Sequence, residues 1–447
     1  MKKPELLAPA GTLKSLNYAF AYGADAVYAG QPRYSLRVRN NEFHGDTLGQ
    51  GIARAHQLGK RFFLTVNSMP HNAKLKTFIA DMEPVIEWGP DALIMADPGL
   101  ILWVRERWPE MPIHLSVQAN TVNHAAVRFW HNVGIERIIL SRELSLEEIE
   151  EIRQACPDTE LEVFVHGALC IAYSGRCLLS GYFNHRDPNQ GTCTNACRWE
   201  YKTHSATTNA ESVIVPQPDT LPAQALNNAG AAAEARHPLA DQIYLLEEKN
   251  RPGELMPVME DEHGTYIMNS KDLRAIEHIH RLVEIGIDCV KIEGRTKSHY
   301  YVTRTTQAYR QAIDDALAGK PFDPALIGVL ENLAHRGYTD GFYQRHHSQE
   351  RQNYLQGASK SHRQQFVGEI TGADDQHGMV EVEVKNRFCR GDRLELITPQ
   401  GNQDFLLEHI ENQQGQTIDV APGSGHHVRI PLEMTDTRYA MLARYLD

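Results

Sequence analysis

The chain has 447 residues, 42% hydrophobic and 23% charged, enough for two or three domains with hydrophobic cores and ordinary for a globular protein. Its formal net charge of −12 argues against a generic polyanion binder, because Lys and Arg supply phosphate attraction; a small basic patch at one site stays compatible with it. No run reaches the ~18 consecutive apolar residues of a membrane span, and MKKPELLAPAG lacks the apolar stretch of a signal peptide, so a soluble, cytoplasmic protein with no membrane partner is expected.

Short apolar runs recur along the first part of the chain. They are Leu6-Leu7-Ala8, Ala26-Val27-Tyr28, Phe62 to Val66, Ala92 to Met95, Ile113 to Val117, Ile138 to Leu140 and Leu161 to Val165. Between them lie segments of helical periodicity, such as Leu13 to Tyr22 and Leu144 to Ile152, the latter with a Ser145/Glu148 capping-box signal. Strands alternating with helices imply βαβ units and a parallel sheet. So regular a series, with no Gly-x-Gly-x-x-Gly after the first run, predicts an α/β fold of the TIM-like (β/α) barrel type over residues 1–300. Either Thr265 to Met268 or Val290 to Glu293 supplies the eighth strand, or both join, and the barrel is expected to close near residue 295.

The segment around 201–239 is Ala-, Thr- and Pro-rich with little periodicity, and reads as a surface insertion. Residues 301–345 read as a helical extension, with helices over Tyr300 to Leu317 and Pro324 to Ala334, and 346–365 as a polar linker. From 366 to 447, short strands punctuated by Gly, Asn and Pro predict a small C-terminal antiparallel β-barrel. Lys385, Arg387 and Arg390 in that module suit an RNA grip, or equally a solvated face.

Barrel active sites form at the C-terminal ends of the strands. Those positions read Pro9-Ala10-Gly11, Gly30, Asn67, Asp97, Gln118 with Asn120, Ser141-Arg142-Glu143, His166-Gly167 and Glu293-Gly294-Arg295, a ring of amides and charges. His166, Glu293 and Arg295 are the candidate catalytic groups. Asn67, Gln118, Asn120, Arg142 and Lys297 are the candidate substrate-binding groups. Arginine suits planar anions because its guanidinium donates two parallel hydrogen bonds. Salt bridges between loops account for the same residues equally well.

Four of the seven cysteines, Cys170, Cys177, Cys193 and Cys197, are separated by six, fifteen and three residues. In a reducing compartment such a group reads as metal-binding rather than as a disulfide framework. Four thiolates on Gly-containing loops of these lengths can converge on an iron–sulfur cluster. A four-cysteine zinc site is the competing reading, though only Cys193 and Cys197 have its short spacing. A Cys-x3-Cys-x2-Cys radical triad is absent. Tyr173, Arg186 and Trp199 flank the group, either to contact RNA or to pack over the cluster. Cys156, Cys289 and Cys389 are expected to be buried structural thiols.

The stretch E-V-F-V-H-G-A-L-C followed by S-G-R-C-L-L-S, from Glu162 to Ser180, resembles the signature of the collagenase-like peptidase family of unassigned catalytic type. LLAPAG, Met268-Asn269-Ser270-Lys271-Asp272-Leu273 and Lys291-Ile292-Glu293-Gly294-Arg295-Thr296-Lys297-Ser298 resemble it too, and the likeness covers nearly the whole chain. GYFNHRDPNQGTCTNACRWEY, EDEHGTYIMNSKDLRAI and AHRGYTDGF are most similar to its bacterial tRNA-modifying branch. That resemblance implies a tRNA uridine hydroxylase making 5-hydroxyuridine at the wobble position, the first step toward 5-carboxymethoxyuridine. It also implies a [4Fe–4S] cluster on the four cysteines and prephenate as a required metabolite. A redox role for the cluster would call for an electron-donor protein, which the sequence does not identify. Other branches hydroxylate ribosomal RNA or quinone precursors, so substrate identity stays open between them. Peptidase activity, the family's historical label, has little support: His-Glu-x-x-His and Gly-x-Ser-x-Gly are absent, and Glu260-Asp261-Glu262-His263 reads as a charged turn.

Overall fold

The computed structural model describes residues 2–35, 41–70, 72–168, 201–208, 214–216, 244–248, 255–261, 264–267, 271–335, 337–344, 363–374 and 377–446. Eight parallel strands form its barrel: β1 (Glu5–Pro9), β2 (Ala26–Gly30), β3 (Arg61–Val66), β4 (Ala92–Met95), β5 (Ile113–Leu115), β6 (Arg137–Ile139), β7 (Glu160–Ala168) and β8 (Cys289–Ile292). Each pairs with the next in sequence, and β8 pairs with both β1 and β7, which closes the TIM-like barrel. Helices follow the strands as the periodicity requires. Leu13–Ala21 is capped by Thr12, Pro98–Arg107 by Asp97, and Leu146–Ala155 by a complete Ser145/Glu148 capping box.

The ambiguity over the last strand resolves in favour of residues 289–292. Thr265 instead lies in the strand Gly264–Ile267, which pairs antiparallel with Leu255–Asp261. That hairpin continues through Tyr244–Glu248 and Tyr201–Thr208 to Ile214–Pro216, a five-stranded antiparallel sheet in a second compact unit. The segment 201–239 thus contributes two strands, Tyr201–Thr208, whose Ala, Thr and Ser content hides any apolar alternation, and Ile214–Pro216, too short to show a period. Asp272–Arg274 and Tyr338–Thr339 form a parallel pair in the same unit.

The helix anticipated at 300–317 spans His299–Leu317, follows β8 and belongs to the barrel's unit; Ala325–Glu331 is the next. The linker at 346–365 lies almost wholly outside the described residues. From Gln364 the chain forms a seven-stranded antiparallel sheet in the order 401–406, 393–398, 441–445, 364–374, 379–384, 427–431 and 411–412. Its single core includes Val367, Val380, Val382, Phe388, Leu394 and Leu442. No helix among the described residues is long and apolar enough to cross a membrane.

The inward face of the barrel is unusually charged. Arg137 at the start of β6 is 1% exposed and pairs with Glu5 at 2.6 Å, Glu160 at 2.7 Å and Glu162 at 3.4 Å. Lys291 of β8 donates to the other oxygen of Glu162 at 2.8 Å. Unpaired charges here would cost several kcal/mol each by order of magnitude, so the network is compensated before it is stabilising. His114 of β5 packs edge-on to Phe63, 4.7 Å between centroids. Burial, helped by the charges of Arg137 and Lys291, pushes its pKa well below the usual value, so it is neutral. Burial likewise raises the Cys289 thiol, which stays protonated. Cys156 and Cys289 are buried thiols, as anticipated, while Cys389 is only partly buried.

Candidate active site at the barrel mouth

The loops leaving the C-terminal ends of the strands gather one side of the mouth around Glu293. This residue follows β8, is largely buried, and forms an ion pair with Arg142 from the loop after β6. The Arg142 guanidinium lies over Phe164 of β7, 3.8 Å from the ring centroid. Beneath it the Lys291 ammonium stands 5.4 Å from Phe164 and 4.3 Å from Tyr28. Arg295 lies 5.8 Å from the same Tyr28 ring and donates to Ser35 Oγ at 2.6 Å. Two inward aromatic rings thus each meet Lys291 and one arginine, an arrangement the ring quadrupole favours.

Glycine permits this crowding at two points. A Cβ on Gly30 would sit 2.3 Å from Arg295 Nη1, and Gly294 holds φ +152 with the Tyr301 ring against it. Tyr301 Oη donates to the Glu293 carbonyl at 2.8 Å, which anchors the turn, and Lys297 Nζ lies 5.5 Å from the Tyr301 ring.

The opposite wall carries amides and hydroxyls. Asn67, after β3, donates from Nδ2 to Ser116 Oγ at 3.2 Å. Gln118 lies in the 3-10 turn Val117–Ala119, its backbone N–H 3.4 Å from Ser116 Oγ. Asn120 ends that turn in the left-handed region, φ 52, which asparagine tolerates better than most residues. Ser141 Oγ bonds Asn120 at 2.8 Å and also Glu143. Of the sequence-derived candidates, Asn67, Asn120, Arg142, Glu293 and Arg295 therefore sit on packed, hydrogen-bonded strand ends.

His166 has a different setting. β7 and β8 run in register as far as Phe164 opposite Lys291, then shift by one residue so that Ile292 faces His166. A bulge of this kind reverses which side chain points inward. His166 is 1% exposed and packs 5.8 Å from Tyr301 and 5.5 Å from Tyr309, ring to ring, against the helix His299–Leu317. Tyr309 Oη donates to Val165 O at 2.7 Å and lies 3.3 Å from His166 Nδ1.

Cys170, Cys177, Cys193 and Cys197, with Tyr173, Arg186 and Trp199, lie outside the described residues. Among the described residues, no group of three or more His, Cys, Asp or Glu side chains could hold a metal ion. Reading loops alone missed Tyr28, Phe164, Lys291 and Tyr301. Lys291 was the legible one, since a lysine between Val290 and Ile292 in a buried strand must have a partner inside.

Comparison with known proteins gives the lineage. Residues 11–353 match the Peptidase family U32 domain, and 362–444 match the Peptidase family U32 C-terminal domain. The chain is 61% identical to tRNA hydroxylation protein P of Escherichia coli (strain K12), over 99% of this chain and 97% of that one. It is 60% identical to the protein of that name from Haemophilus influenzae, over 99% and 96%. A collagenase of Porphyromonas gingivalis is 25% identical over 96% and 94%. On the domain matches and the full-length identities, the chain belongs to peptidase family U32.

Proposed function

We propose that this protein is a tRNA hydroxylase, converting the wobble uridine to 5-hydroxyuridine in a prephenate-dependent reaction. The observation that carries this reading is the 61% identity, over 99% of the chain, to a protein named for tRNA hydroxylation. The chemistry of the mouth is compatible with it. A uridine in a single-stranded loop is free to be splayed out and enter a barrel mouth. Arg142 and Arg295, held on aromatic rings, are suited to the planar carboxylates of prephenate or to RNA phosphate. Lys297 would add a flexible cation, and Asn67, Gln118 and Asn120 would bond the polar edge of the base. Glu293 and Arg295 would touch the reacting ligands; His166 would act from its buried position beside Tyr309.

Cys170, Cys177, Cys193 and Cys197 would hold a [4Fe–4S] cluster, since four thiolates are the donor set such clusters require. When bound there, the cluster supplies one-electron redox chemistry. The remaining chain binds, orients and shields the substrates. Hydroxylation adds one oxygen atom in a two-electron oxidation, so incubating the purified, cluster-containing protein with tRNA lacking the modification, with and without prephenate and with and without dioxygen plus a reductant, tests this reading. Formation of 5-hydroxyuridine only with prephenate supports it. No product on tRNA, but product on ribosomal RNA or a quinone precursor, would replace the substrate.

A further inference from the structure

The C-terminal module does not hang beside the barrel. It is bonded to the two helices that flank the mouth loops after β1 and β8. Glu369 of the strand Gln364–Asp374 accepts from Lys14 at 2.7 Å, from Tyr18 Oη at 3.1 Å, and lies 3.1 Å from His299 Nε2. Tyr300 stacks on Phe366, centroids 4.9 Å apart with 16° between planes. Arg304, 1% exposed, forms a two-pronged pair with Glu395 at 3.0 and 3.0 Å. Gln364 closes that pair at 2.6 Å.

These contacts fall on the first turns of the helix His299–Leu317, and the intervening residue, Tyr301, faces the other way. Its hydroxyl holds the Glu293 carbonyl and its ring packs against Gly294. Successive residues of one helical turn therefore join the module to the loop carrying Glu293 and Arg295. Lys385, one of the cations that suited an RNA grip, is committed to the same junction, 3.4 Å from Glu369 and paired with Glu383.

We infer that the C-terminal module is a positioning element of the barrel mouth, acting through His299, Tyr300 and Arg304 on one side and Tyr301 on the other to fix the Glu293–Arg295 turn. The role of that turn in tRNA hydroxylation rests on the function proposed above; the mechanical coupling does not.

The test uses the full chain and two variants, Glu369→Gln in the module and Tyr301→Phe in the helix, with Arg390→Ala on the exposed module surface as a control. Hydrogen–deuterium exchange of the peptide covering Glu293–Tyr301 is the first readout and needs no catalysis. Both variants should speed its exchange by at least about threefold, and Arg390→Ala should not. Both should lower turnover at saturating tRNA, while affinity for a fluorescein-labelled anticodon stem–loop stays within about twofold. Unchanged exchange in both variants would overturn the inference. So would loss of RNA affinity in Arg390→Ala with normal turnover in the other two, since the module would then be an RNA grip. A wild-type protein inactive on tRNA would remove the proposed function and leave the exchange result to decide the coupling.

Discussion

The backbone amide of Glu293 donates to the carbonyl of His166 at 2.8 Å, yet the two side chains serve different surroundings. Glu293 meets Arg142 over the Phe164 ring, whereas His166 lies between Tyr301 and Tyr309 of the following helix. One register shift between Lys291 and Ile292 separates the two settings. The mouth is therefore built around Glu293, with His166 in the layer behind it.

The Arg142–Glu293 pair is about one-tenth exposed on each side. Arg142→Ala should take the arginine partner from a largely buried carboxylate and destabilise the protein by up to about 3–5 kcal/mol, with Glu293→Gln in the same background restoring a large part. Urea unfolding of the single and double variants measures the coupling. Additive effects would show that the pair does not interact.

Gly30→Ala separates the geometry of Arg295 from its charge. The added methyl would collide with the end of the Arg295 side chain and, 2.7 Å away, with the buried Ser35 Oγ, so folding should suffer by about 1–3 kcal/mol while Arg295 is pushed from Ser35 and Tyr28. Modification of tRNA should fall as it does in Arg295→Ala. Normal modification in both variants, measured in complemented deletion cells, would return Arg295 to a purely structural role.

His114 makes stability depend on pH near neutrality. Its folded pKa lies well below the ordinary ~6.5, because burial disfavours the imidazolium. The unfolded chain therefore binds the extra proton first. Its contribution to stability is complete above about pH 6.5 and is lost as pH falls below that, by about 1.4 kcal/mol per pH unit until the folded value is reached. Between about pH 7.5 and 5.5, His114→Gln should lose roughly 1 kcal/mol less stability than the wild type. Parallel denaturation curves at the two pH values would contradict this.

Cys193→Ser should remove visible absorbance, protein-bound iron and tRNA modification together, with the barrel still folded by circular dichroism. Full iron retained in the variant, zinc in place of iron in the wild type, or modification without iron, would contradict the assignment of the four thiolates.

Much of the barrel was legible because each strand is an apolar run bounded by a capped helix, as at Asp97 and Ser145. The eighth strand was not, because Val290 to Glu293 carries Lys291 and Glu293 and is less apolar than Thr265 to Met268, and only pairing partners tell parallel from antiparallel. The mouth residues were found by their position after strands. His166 was found in the same way, and the register shift that sets it beside Tyr301 and Tyr309 has no local sequence signal. The Arg304–Glu395 pair spans 91 residues, and nothing local in either segment announces the other.

The central claim is tested most directly by mass spectrometry of tRNA nucleosides from cells with and without this gene. The account predicts that 5-hydroxyuridine and its derivatives disappear in its absence, and return with the wild-type gene but not with Cys193→Ser. An unchanged nucleoside profile in cells with no second enzyme of this family would contradict it.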